Sequence, residues 1–253
     1  MNVHGVKAIY RFEMARWGRT LWQSLVAPVI TTSLYFLVFG AAIGGRMSDM
    51  AGVDYGSFIV PGLILLSVLT QALMNASFGI FFPKFTGTIY EILSAPLGPL
   101  ETVIAYVGAA ASKAVILALV TLATAYLFVD VSIAHPLLML LFLVAISIGF
   151  CLQGFAIGIW AKNFEQLQVV PMLVVTPLTF LGGVFYSVGA IGEPWRTVTH
   201  LNPILYLVSG YRWTFFGVTD VPLWSSVAVM AAAILIPLAA IIVIFRTGYR
   251  LKQ

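Results

Sequence analysis

Charged residues are scarce in this chain. They make up 9% of the 253 residues, whereas hydrophobic residues make up 61% and the mean hydropathy is +1.03. A soluble globular domain carries about 25% charged residues. The composition therefore excludes a soluble domain and indicates an integral membrane protein.

Cysteine is almost absent as well. The single Cys151 lies in an apolar run and provides no disulfide framework, so we expect it to serve helix packing. His4, His135 and His200 are far apart in sequence, and the motifs H-E-x-x-H and G-x-S-x-G do not occur. We predict no catalytic, cofactor-binding or metal-binding residue in this chain.

Energy-coupling motifs are also missing. The sequence has no phosphate-binding loop of the form G-x-x-x-x-G-K-S/T, so we do not expect it to bind ATP in such a loop. Acidic residues and histidines are absent from the interiors of its apolar runs, although proton-driven carriers usually need them. A transporter of this composition would take its energy from a separate protein.

Long apolar runs dominate what is present. Each is about 20 residues or longer, which suits a membrane helix, and none alternates like a barrel strand. We predict a single membrane domain over residues 1–253 with an all-α fold of six transmembrane helices. The predicted spans are Ser24–Ile43, Ser57–Phe82, Val103–Val129, Pro136–Trp160, Leu167–Val188 and Trp224–Phe245.

The basic residues predict the orientation of these spans. Most of them fall on one side, so both termini are expected in the cytoplasm. The net charge of +4 then reflects loops that face anionic lipid, and it does not indicate nucleic-acid binding. Lys113 lies within span 3, and we expect it to snorkel to the inner surface. The cytoplasmic group is Lys7, Arg11, Arg16, Arg19, Lys84, Lys162, Arg246, Arg250 and Lys252, and the outer group is Arg46, Arg196 and Arg212.

One apolar segment, Pro177–Gly217, can enter the membrane twice but cannot cross it twice. Asn202 and Pro203 predict a helix start and Gly217 predicts its end. A helix of about 14 residues reaches ~21 Å, less than the ~30 Å hydrocarbon core. If this helix crossed the membrane, the three cations that follow span 6 would also lie on the outer side. We therefore predict outer re-entrant helices in residues 189–218, between spans 5 and 6.

Two segments on the predicted cytoplasmic side are candidates for partner contact. Residues 1–22 predict an interfacial helix, which is either a membrane anchor or a docking surface. The loop of residues 83–101 contains a short helix from Thr88 to Ala95, bracketed by Gly87 and Pro96. A helix this short is only marginally stable in water. Its apolar face therefore needs to contact the bilayer or another protein. The apolar stripe of the first helix is Val6, Tyr10, Met14, Trp17 and Leu21, and that of the second is Ile89, Ile92 and Leu93.

Polar and small residues inside the spans carry two further hypotheses. Polar groups in lipid must face protein or a cavity, so they indicate either interhelical hydrogen bonds or a translocation path. Glycine pairs four residues apart permit close helix contact, either within the chain or between two copies. The possible path-lining residues are Thr31, Tyr35, Ser67, Gln71, Asn75, Thr176 and Thr179, and the glycine pairs are Gly40 with Gly44 and Gly154 with Gly158.

The order of these parts resembles the ABC type-2 transporter permeases, the membrane subunits of ATP-binding-cassette exporters. The motifs that carry the resemblance are FIVPGLI at 58–64, EILSAP at 91–96, TPLTFLGGVFYS at 176–187, HLNPI at 200–204 and GVTDVPL at 217–223. The resemblance implies two permease copies in a bacterial inner membrane, together with two separate ATPase subunits that bind ATP and Mg²⁺.

The resemblance also implies roles for particular residues. The amino-terminal segment would be the connecting helix, and the Thr88–Ala95 segment would be the coupling helix on the ATPase. The segment after span 5 would be the outer gate of the path. The implied residues are Arg11, Arg16 and Trp17 for the connecting helix; Tyr90, Glu91, Ile92 and Leu93 for coupling; and Asn202, Pro203, Tyr206 and Arg212 for the gate.

Two other functions stay open from the residues alone. One is an ion-coupled secondary transporter, and the other is a membrane enzyme on lipid-linked substrates that would use Arg212 and His200. Against the enzyme, we expect Arg212 to snorkel outward and His200 to precede a helix cap. The short external loops offer no recognition domain, and we expect an amphipathic or lipid-like cargo.

Overall fold

The computed structural model of the protein describes residues 2–43 and 52–248. Within these ranges the regular elements are helices and no β-strand is formed, so the all-α prediction is confirmed. Arg46, Arg250, Lys252 and Gly44 lie outside the described residues. The helices are α1 (Val3–Gly18), α2 (Leu21–Tyr35) with a π-helical continuation (Phe36–Ile43), α3 (Tyr55–Phe58), α4 (Val60–Thr86), α5 (Ile89–Ser94), α6 (Pro99–Ala125), α7 (Pro136–Trp160), α8 (Phe164–Val170) with a π-helical turn (Pro171–Val175), α9 (Thr176–Phe180), a 3₁₀ turn (Val188–Ala190), α10 (Trp195–His200), α11 (Pro203–Phe216) and α12 (Leu223–Thr247).

Five helices in the described ranges are long and apolar enough to cross a membrane. The fifth predicted span is instead a shorter apolar helix, Phe164–Phe180, made of α8, the π-helical turn and α9. It ends earlier than the predicted Val188 because a turn follows in which Gly183 has a φ of +76°, a conformation that suits glycine. The five long helices are Leu21–Phe39, Tyr55–Thr86, Pro99–Ala125, Pro136–Trp160 and Leu223–Thr247.

Helix α4 lies at the centre of the bundle, packed mainly against α7 and α6. A Cβ atom on Gly154 would lie 2.3 Å from the carbonyl oxygen of Leu73, and one on Gly158 would lie 2.4 Å from that of Ser77. The thiol of Cys151 also faces this contact and donates to the Ala72 carbonyl at 3.6 Å. This glycine pair therefore serves a contact within the chain, as small residues do between membrane helices.

One end of the bundle collects most of the basic residues of the described chain. The Lys84 ammonium, at the end of α4, donates to the carbonyls of Ile159 and Ala161 at 2.6 and 3.0 Å, at the end of α7. Leu97, before α6, packs against Gly5 of α1. Arg246, at the end of α12, lines a cleft with Leu93 and Leu97. Helices α1 and α5 therefore lie at this basic end.

The opposite end carries α11 and the loops that join the spans there. The Ser57 hydroxyl donates to the Asp130 carbonyl at 3.0 Å, which ties the start of α3 to the loop after α6. The backbone N–H of His135 donates to the Thr214 carbonyl at 2.9 Å, which ties the start of α7 to the end of α11. The Val188 N–H donates to Asp220 Oδ1 at 3.2 Å, so the chain before α10 and the chain after α11 meet at this end.

Candidate coupling and transport sites

Helix α5, at the basic end, forms close to the predicted limits. Gly87 ends α4 with a φ of +82°, and α5 follows over Ile89–Ser94. Ile89 is buried and Ile92 is half-buried against the core, whereas Tyr90, Glu91 and Leu93 are exposed. The prediction that Ile89 belongs to an apolar face open to a partner is therefore wrong, because Ile89 is buried in the core and anchors the helix. The surface available to a partner is formed by Tyr90, Glu91 and Leu93, with Ile92 at its edge.

A cleft of about 500 Å³ separates α5 from the end of α12. Ile92 and Leu93 line one side, and Phe245 and Arg246 line the other. Exposed apolar side chains next to a cation at a bundle end suit a contact with another protein.

Helix α1 packs on α6 along the predicted stripe. Its start is capped by Asn2, whose side-chain oxygen accepts from the Gly5 N–H at 3.1 Å. The Tyr10 hydroxyl donates to Ser112 Oγ at 2.9 Å. The residues Val6, Tyr10, Met14 and Trp17 are half-buried, Arg11 is exposed, and Leu21 is exposed because it already belongs to α2.

A buried ion pair fixes α1 to the bundle. Glu13 Oε2 accepts from the Lys113 ammonium at 3.0 Å and from the Arg16 guanidinium at 2.7 Å. The Arg16 guanidinium also lies 5.3 Å from the centre of the Phe78 ring. The expectation that Lys113 snorkels to the surface is therefore wrong, because a carboxylate on α1 meets it inside the protein.

Sequence reasoning missed Glu13. The available signal was that Lys113 is an intramembrane charge, and such charges pair with one another. Glu13 is the only acidic residue in α1, which packs on the helix that carries Lys113. This signal makes Glu13 a candidate partner of Lys113, but the contact itself depends on how α1 docks on α6.

A groove brings together most of the predicted path-lining residues. It has a volume of about 280 Å³ and lies between α2, α4 and the Phe164–Phe180 helix. Five of the seven candidates line it, so three separate sequence segments converge there. The five are Thr31, Tyr35, Ser67, Gln71 and Thr176; Thr70 also lines the groove and was not predicted.

The remaining two candidates lie outside the groove lining. Asn75 continues the α4 stripe and donates to the Gln71 carbonyl at 2.8 Å. Thr179 is fully buried and donates to the Val175 carbonyl at 2.6 Å. Thr179 therefore takes part in helix packing.

The hydroxyl groups of the groove bond within their own helices. Thr31 donates to the Ala27 carbonyl and Thr176 to the Pro171 carbonyl, each at 2.9 Å. Thr70 likewise donates to the Leu66 carbonyl at 2.9 Å. These bonds do not join one helix to another, so they do not support the interpretation of these threonines as interhelical links.

Aromatic side chains cover the end of the groove that is remote from the basic end. The ring centres of Tyr35 and Phe180 lie 5.8 and 5.3 Å from that of Phe185, and Phe39 stacks on Phe185 at 4.7 Å. The Tyr55 hydroxyl donates to the Phe185 carbonyl at 3.2 Å and fixes the cluster to α3. The groove thus has a polar wall and an aromatic end.

Helix α11 has the predicted limits. The side-chain oxygen of Asn202 accepts from the Ile204 N–H at 2.9 Å, Pro203 is the first helical residue, and Gly217 ends the helix with a φ of +71°. The Asn202 amide also donates to the Leu178 carbonyl of α9. The Tyr206 hydroxyl donates to the His200 carbonyl at 2.9 Å, which links α11 back to α10.

Arg212 is buried in the protein, so the expectation that it snorkels outward is wrong. Its guanidinium donates to Asp220 Oδ2 at 2.9 Å and to the Gly183 carbonyl at 2.6 Å, and lies 3.9 Å from the centre of the Phe58 ring. Asp220, which sequence reasoning missed, also accepts from the Ser187 hydroxyl and the Val188 N–H. Arg212 and Asp220 together connect α11 with α3, with the turn at Gly183 and with the 3₁₀ turn that begins at Val188.

His200 and Arg212 do not form a common site. His200 ends α10, two residues before the Asn202 cap as expected, while Arg212 lies near the far end of α11. Arg212 is ten positions after the Asn202 cap, which corresponds to about 15 Å along the helix. In addition, no group of three or more His, Cys, Asp or Glu side chains that could hold a metal occurs among residues 2–43 and 52–248.

Comparison with known proteins identifies the family. The model of the ABC-2 type transporter family matches residues 4–216, from α1 through α11. The chain belongs to the ABC-2 type transporter family. The resemblance inferred from the sequence motifs is therefore confirmed, and this ABC-2 family member is a membrane transport permease.

Curated relatives agree with this assignment. The chain is similar to the inner membrane transport permease YadH of Escherichia coli (strain K12), with 41% identity over 230 residues and 90% of each chain covered. It is also similar to nodulation protein J of Rhizobium leguminosarum bv. trifolii, with 23% identity over 238 residues, 91% of this chain and 88% of the relative. The predicted inner-membrane, multi-pass location of this ABC-2 permease is confirmed.

Proposed function

We propose that this chain is the transmembrane subunit of an ATP-driven exporter. Two copies form the substrate path, and two separate ATPase subunits, which bind ATP and Mg²⁺, supply the energy. The groove between α2, α4 and the Phe164–Phe180 helix carries this proposal. It collects polar side chains from three apolar helices, where isolated polar groups would be costly in lipid.

The proposed topology has six spans with both termini in the cytoplasm. Phe164–Phe180 is the fifth span, and its 17 residues reach ~25 Å, so a locally thin bilayer or a partner accommodates it. The gathering of cations at the end that carries α1 and α5 supports the orientation. Helix α11 re-enters from the outer face, since its 14 residues are too few to cross and the chain before α10 meets the chain after α11 at that end.

The proposed dimer closes the groove. The helices that line it also expose large apolar side chains, including Leu34, Leu37, Met172 and Leu173. Within one chain, only 11% of the apolar stretch in Leu21–Phe39 is buried, whereas 72% of the apolar stretch in Tyr55–Thr86 is buried. A second copy that covers these surfaces turns two half-open grooves into one path.

The proposed coupling site lies at the basic end. Tyr90, Glu91 and Leu93 on α5 contact an ATPase, and the cleft beside α12 accommodates part of that contact. Arg11 of α1 is exposed next to this end, Trp17 is half-buried, and Arg16 contacts the Phe78 ring of α4. Movement of α5 reaches the groove through α4, against which α5 packs.

Replacement of Leu93 by Glu tests the coupling site. The side chain is 37% exposed, so the change leaves the core intact but introduces a charge into the proposed contact. We expect the variant to insert and dimerise normally while losing co-purification with the ATPase and ATP-driven transport. Leu127→Glu is the matched control, because Leu127 is 81% exposed at the opposite end of the bundle. Equal losses in both variants, or in neither, would contradict the assignment.

The ion-coupled carrier is the competing proposal. The ten residues that line the groove include no acidic side chain or histidine, so they provide no titratable group of the kind that proton-coupled carriers use. Transport that persists after ATP depletion and stops when the ion gradient collapses would favour the carrier. The membrane-enzyme alternative has lost its geometric basis, since Arg212 is paired with Asp220 and remote from His200.

A further inference from the structure

A second cavity lies on the other face of the Phe164–Phe180 helix. Its volume is about 530 Å³, within the range of sites that hold small molecules. Val170, Val174 and Leu178 line it, whereas Thr176 and Phe180 of the same helix line the polar groove. At this point the groove and the cavity are separated by the thickness of one helix.

The packing of α12 explains why this cavity exists. Helix α12 packs mainly against α7 and α11, and Gly149 of α7 lies against the backbone of Ala233. The small side chains of Ala232 and Ala233 leave space between α12 and the Phe164–Phe180 helix. Phe150 of α7 forms the floor, and Leu207 of α11 lies at the wall towards the outer end.

The mouth of the cavity opens near the middle of α12, which is long and apolar enough to cross a membrane. Its rim residues Val174 and Ile236 are 47% and 69% exposed, whereas Phe150 of the floor and Leu207 of the wall are 5% and 3% exposed. Ile236 lies near the middle of α12, so the opening is at a depth where no water is available to fill it. Hydrocarbon is the solvent at this depth, and an empty apolar cavity would forfeit dispersion contacts along its walls.

A single polar side chain, Gln153, lies among the residues that line this cavity. It is half-buried towards the end of α7 and can donate two hydrogen bonds through its amide nitrogen. No hydrogen bond from this side chain occurs within the described residues. An amide in hydrocarbon is stabilised by a polar partner, so its position points to a ligand that carries an oxygen.

We propose that this cavity binds one acyl chain of a lipid-like molecule, which enters from the bilayer core. The chain fills the apolar pocket between α12 and the Phe164–Phe180 helix, and Gln153 donates a hydrogen bond to an oxygen on the same molecule. For transport, this site would hold the tail of an amphipathic cargo beside the groove, and that consequence depends on the proposed function. The binding site itself does not depend on it.

Photo-labelling of the full-length permease in lipid nanodiscs tests the proposal without the ATPase. The probe is a long-chain fatty acid with a diazirine near the middle of its chain, and adducts are located by mass spectrometry. We expect saturable labelling of the peptides that contain Phe150, Val174 and Ile236. Ala232→Phe fills the cavity and lowers this labelling by about tenfold or more. Ala231→Phe is the control, because Ala231 is exposed on the same helix outside the lining.

Two further variants test the mouth of the cavity and its polar residue separately. Ile236→Trp narrows the mouth from an exposed position, so it replaces Ala232→Phe if that variant does not fold. Gln153→Leu keeps the shape, and we expect it to retain labelling by the plain fatty acid but to abolish any preference for a hydroxylated one. Non-saturable labelling, equal labelling of the Ala232 and Ala231 variants, or cross-links that show a second copy in the cavity would overturn the proposal. Failure of ATPase coupling would leave the labelling result unchanged.

Discussion

Removal of the Glu13 carboxylate tests how α1 is held against the bundle. Glu13 and Lys113 are each 3% exposed, and their charged atoms are 3.0 Å apart. Arg16 shares the same carboxylate oxygen, but its side chain is 28% exposed. Glu13→Gln preserves the shape of the side chain and removes its charge. Arg16 can then turn towards water, whereas Lys113 is left buried without a counter-charge.

The expected cost follows from this asymmetry. Loss of one partner from a buried ion pair destabilises a protein by about 3–5 kcal/mol, because the other charge stays in a low-dielectric site. Lys113→Met costs less, about 1–3 kcal/mol, since Glu13 keeps its bond to Arg16. The double variant removes both buried charges. We therefore expect it to be more stable than the sum of the two single changes predicts, by about 0.5–3 kcal/mol.

The assay is reversible unfolding of the purified permease in mixed micelles, arranged as a double-mutant cycle. Arg11→Gln is the control, because Arg11 is exposed on the same helix. We expect it to change the free energy of unfolding by less than about 0.5 kcal/mol. The reasoning is refuted if Glu13→Gln costs no more than Arg11→Gln, or if the effects of Glu13→Gln and Lys113→Met add without interaction.

Two other predictions concern the contacts that shape the bundle. Gly154→Ala should cost about 1–3 kcal/mol of stability, because the new methyl group meets the Leu73 carbonyl at 2.3 Å; Gly18→Ala, with open space around it, should cost nothing measurable in the same unfolding assay. Arg212→Lys should cost about 1.5–3 kcal/mol, because an ammonium cannot hold Asp220 and the Gly183 carbonyl in the same fork geometry. Arg196→Lys, at an exposed position on α10, should be neutral, and an equal effect of the two arginine changes would contradict this role of Arg212.

Local signals allowed the helices to be predicted well. Asn202, Pro203 and Gly217 fixed the limits of α11, and Gly87 separated α4 from α5, because caps and left-handed glycines act within a few residues. The polar stripe on α4 also led to the groove. Its face is set by helical periodicity alone, so it could be placed before the neighbouring helices were known.

The buried charges could not be predicted in the same way. Lys113 and Glu13 are 100 residues apart in sequence, and their meeting depends on how α1 docks on α6. Arg212 and Asp220 are close in sequence, but the burial of their pair depends on Phe58 and Gly183 from distant segments. Snorkelling assumes a free path to water, and in both cases tertiary packing closes that path. The second cavity likewise arises from a gap between helices, which periodicity within one helix does not reveal.

The central claim is that the groove is the substrate path and is driven by an ATPase. Its most direct test is the rate at which a water-soluble maleimide labels Ser67→Cys in the reconstituted permease and ATPase, with Cys151, the only native cysteine, replaced by Ser. Leu69→Cys, at a fully buried position on another face of α4, is the control. The account predicts rapid labelling of the Ser67 variant that changes when ATP is bound, with no labelling of the Leu69 variant. A labelling rate at position 67 that is the same with and without ATP would contradict it.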